Sequence, residues 1–134
     1  PVSVNVAPVI PGLTDHEMEQ LLAAAAEAGA REAHYTVLRL PLEVAGLFRD
    51  WLERERPERA ARVMGLVREL HGGRDYDPAW GKRLKGEGVH AALIARRFAL
   101  ACRRAGLGLK DLAPLRTDLF APPARAGDQL SLDL

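Results

Sequence analysis

Apolar and polar residues alternate at the start of the chain. Valine stands at positions 2, 4 and 6, with Ser3, Asn5 and Ala7 between. A period of two is typical of a β-strand that buries one face. A buried strand at this position needs partners on both of its edges, so the pattern indicates part of a larger fold. The alternative is a processed N-terminus that pairs at the edge of a sheet.

The period then changes to that of a helix. Thr14 and Glu17 have the spacing of a capping box, and Leu13 and Met18 have that of a hydrophobic staple. Gly29 suits the left-handed position that follows the last turn of a helix. The apolar face predicted for this helix consists of Met18, Leu21, Leu22, Ala25 and Ala26.

A second strand is predicted within residues 31–40, because residues 34–40 are rich in β-forming types. A strand, a helix and a further strand make a βαβ unit with parallel strands and a right-handed connection. Two parallel strands alone are not a stable sheet, since parallel sheets occur almost only when both faces are covered. The pattern therefore predicts an α/β fold in which this unit has further partners.

The residues after Pro41 have helical periods. One apolar stripe ends at Pro57, whose ring cannot continue a helix but suits the first turn of the next. A second stripe ends at two glycines, residues 72–73. Residues 74–88 then form a loop, and a last helix is predicted over residues 89–105. The two stripes consist of Val44, Leu47, Phe48, Trp51 and Leu52, and of Ala60, Val63, Met64, Val67 and Leu70.

Composition narrows the class of protein. The 134 residues suffice for about one domain, and 48% hydrophobic with 28% charged residues is typical of a folded chain. Nineteen basic against eighteen acidic residues leave a net charge of +1, which identifies no partner. No apolar run approaches the roughly 20 residues of a membrane span, and the first residues lack the order of a signal peptide. We expect a cytoplasmic protein with no membrane partner.

The residue types and their spacing indicate neither a catalytic site nor a metal site. The four histidines, at positions 16, 34, 71 and 90, lack the spacing that places two ligands on one helix face. The single cysteine, Cys102, excludes an internal disulfide, and its apolar neighbours predict an inert buried thiol. Gly106 and Gly108 follow a helix instead of opening one, so they do not fit a phosphate-binding loop. The sequence predicts no catalytic residue and no metal ligand in this chain.

Charge is distributed unevenly along the chain. Residues 14–58 contain ten acidic residues and five arginines, whereas residues 74–104 contain eight basic and three acidic residues. On the last helix four arginines recur at an interval of seven and share a face about 120° wide. Trp80 and Tyr76 are suited to stacking on bases. The candidate nucleic-acid-binding residues are Arg83, Lys85, Arg96, Arg97, Arg103 and Arg104.

Two interpretations of this basic region stay open. One is a strip that binds DNA or RNA. The other is a solvated helix face that pairs with the acidic half of the chain.

Seven short segments follow one another along nearly the whole chain: residues 4–15 (VNVAPVIPGLTD), 27–30 (EAGA), 38–41 (LRLP), 47–52 (LFRDWL), 72–77 (GGRDYD), 83–88 (RLKGEG) and 97–102 (RFALAC). In order and spacing they resemble the C-terminal portion of a radical S-adenosylmethionine protein of the spore photoproduct lyase-like, or DNA repair photolyase-type, group. The family reaction is reductive cleavage of S-adenosylmethionine to a 5′-deoxyadenosyl radical, and the resemblance implies action on or near DNA.

The resemblance also implies a fold. Residues 1–41 are expected to be the last βαβ unit of a partial α/β (TIM-like) barrel. Residues 42–106 are expected to be a C-terminal helical extension with a basic loop and helix, and residues 107–134 an extended tail. The chain is then either a fragment or a truncated gene product, completed by the missing N-terminal barrel part or by an oligomeric mate.

One family feature is missing. The CxxxCxxC loop that ligates the 4Fe–4S cluster is absent, and cluster ligation needs thiolates. This chain alone is therefore expected to bind no cofactor and to be inactive, whereas the complete family protein binds S-adenosylmethionine and the cluster.

The resemblance places cofactor contacts at the carboxyl ends of the strands, where barrel enzymes have their chemistry. Pro8, Val9 and Ile10 are expected to line the adenine of the cofactor. Asn5 and Arg39 are expected to contact cofactor or substrate. The alternatives are an ordinary rigid turn at residues 8–11 and a salt bridge of Arg39 at the strand end.

The last six residues, QLSLDL, resemble the hexapeptide by which bacterial replication and repair proteins bind the β sliding clamp. An extended peptide with a Gln amide and leucines for an apolar pocket suits such a partner. The alternative is a tail that folds back onto the body. The rival to the enzymatic interpretation is therefore a non-catalytic nucleic-acid- or clamp-binding module. The candidate partner-binding residues are Gln129, Leu130, Leu132 and Leu134.

Overall fold

The computed structural model describes residues 2–108 and 117–123. Within those residues the fold is mixed α/β, with a two-stranded parallel sheet and four α-helices. A short 3-10 helix, Asp15–Glu17, precedes the first α-helix. In chain order the elements are β1 (Ser3–Val9), α1 (Met18–Glu27), β2 (Glu32–Val37), α2 (Val44–Glu55), α3 (Pro57–Leu70) and α4 (Gly88–Ala105).

The predicted βαβ unit with parallel strands is confirmed. Ser3 pairs with Glu32, and the register shifts further along so that Val9 pairs with Val37. On the outer edge of β2, the Ala33 amide donates to the Gly108 carbonyl, with an N···O distance of 3.1 Å. The sheet order is β1–β2, so β1 has a strand on one side only in the described part of the chain.

The start of α1 differs from the predicted capping box. Thr14 makes no side-chain capping bond; its Oγ1 instead accepts the Ile10 amide at 3.0 Å. The Ile10 carbonyl in turn accepts the amides of residues 13, 14 and 15. The Thr14 hydroxyl is therefore used inside this tight turn, and the chain enters α1 through the 3-10 helix. The prediction of a capping box is wrong.

The predicted end of α1 is confirmed. Gly29 has a φ of +95°. Its amide donates to the Ala26 carbonyl, and the Ala30 amide donates to the Ala25 carbonyl, both at 2.9 Å. This pair of bonds is a Schellman motif, which satisfies carbonyls that the last turn of a helix leaves free.

The buried residues form two clusters. The first lies between the sheet, α1 and α4, where Tyr35 packs on Phe98 with ring centroids 4.7 Å apart. Cys102 belongs to it, and burial raises the pKa of its thiol, which agrees with the predicted inert cysteine. The second cluster joins the carboxyl end of β2 to α2 and α3 and contains Leu38, Leu40, Leu52, Val63, Met64 and Val67.

The helical extension follows the predicted pattern closely. Pro57 occupies the first turn of α3, and α4 begins one residue before its predicted start. None of the described helices is both long and apolar enough to cross a membrane.

Candidate functional site

The free edge of β1 borders a groove of about 450 Å³. Three of the five candidate cofactor residues, Asn5, Pro8 and Val9, line this groove. Its opposite wall belongs to α1, where Leu21 is 48% exposed although it lies on the predicted apolar face. Within residues 2–108 and 117–123, the groove therefore combines a strand edge that pairs with no other strand and apolar side chains that stay exposed.

The other two candidate cofactor residues lie elsewhere. Ile10 packs against the second apolar cluster. Arg39, two residues after β2, donates from Nη2 to the Tyr76 hydroxyl at 3.1 Å, and its Cζ lies 5.6 Å from the centre of that ring. The Nε of Arg39 is buried and has no hydrogen-bond partner among the residues that the structure describes.

A buried histidine lies behind this arginine. His71 Nε2 is 2.9 Å from the Leu38 carbonyl, and its ring lies edge-on to Tyr76 at 5.9 Å. Sequence reasoning considered His71 only as a metal ligand and missed its place beside Arg39. The sequence places His71 between an apolar helical stripe and the glycines at 72–73. This position indicates the end of a helix, but it does not indicate that the histidine packs against the end of β2.

The loop of residues 74–88 returns to the sheet and brings two basic residues with it. Lys85 Nζ donates to the Tyr35 carbonyl at 2.6 Å and lies 3.4 Å from the centre of that ring. Burial lowers the pKa of Lys85. Arg83 stacks on Trp80, with Cζ 4.2 Å from the ring centre. Its Nε is buried and has no hydrogen-bond partner in the described part of the chain. Lys85 thus fixes the loop against β2. The Nε–H of Arg83, in contrast, donates to none of the described residues.

The four arginines of α4 do not form one free face. Arg97 donates from Nε and Nη2 to the two carboxylate oxygens of Glu19, each at 2.8 Å, and from Nη2 to the Asp15 carbonyl at 2.8 Å. Within the described residues, the other three arginines, at 96, 103 and 104, are exposed and form no ion pair. Arg97 therefore pairs with the acidic half of the chain, as one of the two interpretations predicted. The side chains of Arg96, Arg103 and Arg104 remain available to bind a polyanion.

Replacing Arg97 with methionine is expected to lower the free energy of unfolding by about 1–2 kcal/mol near neutral pH, because charge-assisted bonds at a partly exposed site are lost. The bond from Arg97 lowers the pKa of Glu19 below its ordinary value of about 4.3. A lowered carboxyl pKa contributes stability above the ordinary value and loses it as the pH falls through the lowered one.

Urea unfolding of both proteins at about pH 7 and about pH 2.5 measures this effect, and the difference should shrink at the lower pH. Arg96→Met is the matched control, because Arg96 is exposed on the same helix. An equal loss for both variants, or a difference that does not vary with pH, would refute the ion pair.

The described residues do not fit an iron–sulfur cluster. Cys102 is buried in α4, and no group of three or more His, Cys, Asp or Glu residues in residues 2–108 and 117–123 is placed to hold a metal ion. The four candidate clamp-binding residues, Gln129 to Leu134, lie outside the described residues.

Known proteins give no independent assignment: no family model, no curated protein and no solved structure matches this chain. The chemistry of the site therefore follows from three features of its own. In the described part of the chain these are a groove beside an open strand edge, two guanidinium groups whose buried Nε donors make no hydrogen bond, and three exposed arginines on α4.

Proposed function

We propose that this chain is the C-terminal part of a radical S-adenosylmethionine enzyme of the spore photoproduct lyase-like type, which acts on or near DNA. The observation that carries the proposal is the open edge of β1 with the groove beside it. The family resemblance supports the same assignment through the order of its seven segments along the chain.

The open edge supports a missing barrel neighbour. In an α/β barrel every strand lies between two parallel strands, and helices pack side by side outside them. β1 lacks one of these neighbours in the described residues, and the exposed Leu21 of α1 faces the same side. An uncovered strand edge beside apolar side chains is a liability for a chain on its own. A preceding strand and helix of the barrel would cover both features.

The proposal assigns binding rather than electron transfer to this chain. Pro8 and Val9, near the carboxyl end of β1, are proposed to line the cofactor adenine, and Asn5 lines the same groove. The 4Fe–4S cluster does not fit the described residues, so its ligands belong to the proposed N-terminal barrel part. When bound there, the cluster supplies the electron that cleaves S-adenosylmethionine.

The test is to express the complete coding sequence that contains this chain, reconstitute it anaerobically with iron and sulfide, and measure 5′-deoxyadenosine formed from S-adenosylmethionine. We expect cluster absorbance and product. Leu21→Asp places a charge where the preceding helix is proposed to pack, so it should remove most of the product. Leu93→Asp is the matched control, because Leu93 is half-exposed on α4, away from the groove.

Two results would overturn the proposal. One is a coding sequence without a CxxxCxxC motif. The other is a reconstituted protein that forms neither cluster nor 5′-deoxyadenosine.

A non-catalytic nucleic-acid-binding module is the second candidate. The observation in its favour is that Arg96, Arg103 and Arg104 are exposed and form no ion pair with the described residues. Three such charges on one helix suit a phosphate backbone. Binding of the β sliding clamp through the last six residues stays a prediction from the sequence.

A further inference from the structure

We propose that Arg39 and Arg83 form a binding site for a phosphate group at the carboxyl end of β2. The proposal uses only described residues of this chain and does not rest on the radical S-adenosylmethionine assignment. In each of these two arginines the Nε atom is buried and has no hydrogen-bond partner among residues 2–108 and 117–123. A buried donor without an acceptor destabilises the folded state, and more so when the group is charged. An oxyanion would supply the missing acceptors.

The return of the loop places Arg83 at the same end of β2 as Arg39. The Val37 amide donates to the Leu84 carbonyl at 2.9 Å, and Lys85 Nζ donates to the Tyr35 carbonyl at 2.6 Å. The first bond sets Leu84 beside Val37, the last residue of β2. Arg83 precedes Leu84 and Arg39 lies two residues after Val37, so both arginines are close along the chain to this bond.

Aromatic rings hold both guanidinium groups in place. The Tyr76 hydroxyl accepts from Arg39, and the Trp80 ring lies against Arg83. A guanidinium that is already positioned loses less side-chain entropy when it binds an anion.

The carboxylates of the same loop are each engaged elsewhere. Asp75 accepts from Arg68 at 2.7 Å and also pairs with Arg49. Asp77 accepts the Ala79 amide at 2.9 Å. The third, Glu87, lies 2.7 Å from Lys82 Nζ. The acidic residues of the loop thus leave the two Nε donors unpaired.

Phosphate is the chemical class that fits this pair of groups best. The planar fork of a guanidinium matches the oxygens of a phosphate, and two forks supply enough donors for a tetrahedral anion. Trp80 is 84% exposed beside Arg83, so its free ring surface is suited to stacking on a nucleobase. The phosphate source is either a free nucleotide or a nucleic-acid backbone.

The test follows the arginine Nε–H signals in nitrogen-15 NMR spectra of the full chain while inorganic phosphate is added at constant ionic strength. The Nε–H signals of Arg39 and Arg83 should move along one shared saturating curve, and that of the exposed Arg62 should not. Arg39→Lys and Arg83→Lys should each weaken binding at least tenfold, because lysine lacks the fork. Arg62→Lys is the matched control and should leave binding unchanged.

Two further titrations distinguish the phosphate sources. Tighter binding of adenosine 5′-monophosphate than of inorganic phosphate, reversed by Trp80→Ala, indicates a free nucleotide. Tighter binding of a single-stranded oligonucleotide than of the mononucleotide indicates a nucleic-acid backbone.

Three outcomes would overturn the proposal. One is an absence of any response of the two Nε–H signals in the wild-type chain. Another is a linear drift shared with every arginine. The third is a pair of separate binding curves for Arg39 and Arg83. Backbone amide spectra of the lysine variants verify that the fold is intact.

Discussion

Replacing Gly86 with alanine is expected to lower the free energy of unfolding by about 2–4 kcal/mol. Gly86 has a φ of +71°, a left-handed conformation that a side chain disfavours. A Cβ there would lie 3.1 Å from both the Cβ and the carbonyl oxygen of Leu70, which is buried at the end of α3. Neither atom can move away without displacing α3. Urea unfolding followed by circular dichroism measures the loss.

The same substitution should weaken phosphate binding. The Gly86 amide donates to the Lys82 carbonyl at 2.7 Å, and the Glu87 amide donates to the Leu70 carbonyl at 2.9 Å. These bonds hold the end of the loop of residues 74–88 against α3. Displacing the loop would move Arg83 away from Arg39, so the phosphate titration should show a lower affinity for this variant.

Gly81→Ala is the matched control. Gly81 lies in the same loop with a φ of +88°, but a Cβ there would meet no atom within 4 Å. This variant should lose only the backbone contribution, about 1 kcal/mol. Equal losses for the two variants would show that the close approach to Leu70 does not constrain the loop.

Three sequence signals predicted the structure correctly, although the capping box at Thr14, also a signal of neighbouring residues, did not. Gly29 ends α1 because a helix that needs a left-handed residue after its last turn favours glycine. Pro57 begins α3 because its fixed φ suits a first turn. The parallel pairing of β1 and β2 followed from the helix between them.

The role of Arg97 could not be predicted from its own helix. A seven-residue interval groups it with the other arginines of α4, but its function depends on how α4 packs against α1. The relevant signal lay on the other element, where Asp15 and Glu19 are four residues apart and reach the same guanidinium. The pattern of residues along a single helix does not specify which other helix it packs against.

The candidate phosphate site was beyond sequence reasoning for a related reason. Its residues come from the end of β2 and from a loop without a hydrophobic period. The resemblance singled out Arg39 and the charge distribution singled out Arg83, but neither indicated that the two belong to the same end of β2. The bond from the Val37 amide to the Leu84 carbonyl brings the loop to that end.

Replacing Arg96, Arg103 and Arg104 together with alanine is expected to weaken nucleic-acid binding strongly and to make it less sensitive to salt. Each phosphate contact contributes about 0.7–0.9 to the slope of log affinity against log salt, so three lost contacts should reduce the slope by about 2–3. Arg97 is left in place, since its bonds to α1 support the fold. Fluorescence anisotropy with labelled single-stranded and duplex oligonucleotides at several salt concentrations measures both quantities.

A triple variant of α2 and α3, in which Arg54, Arg59 and Arg62 become alanine, removes the same charge from another exposed surface. It should keep most of the slope if the nucleic acid contacts α4, because a phosphate contact is local whereas net charge acts over the whole molecule. An equal reduction in both triple variants would assign the binding to net charge alone. An unchanged slope in the α4 variant would show that the nucleic acid does not contact this helix.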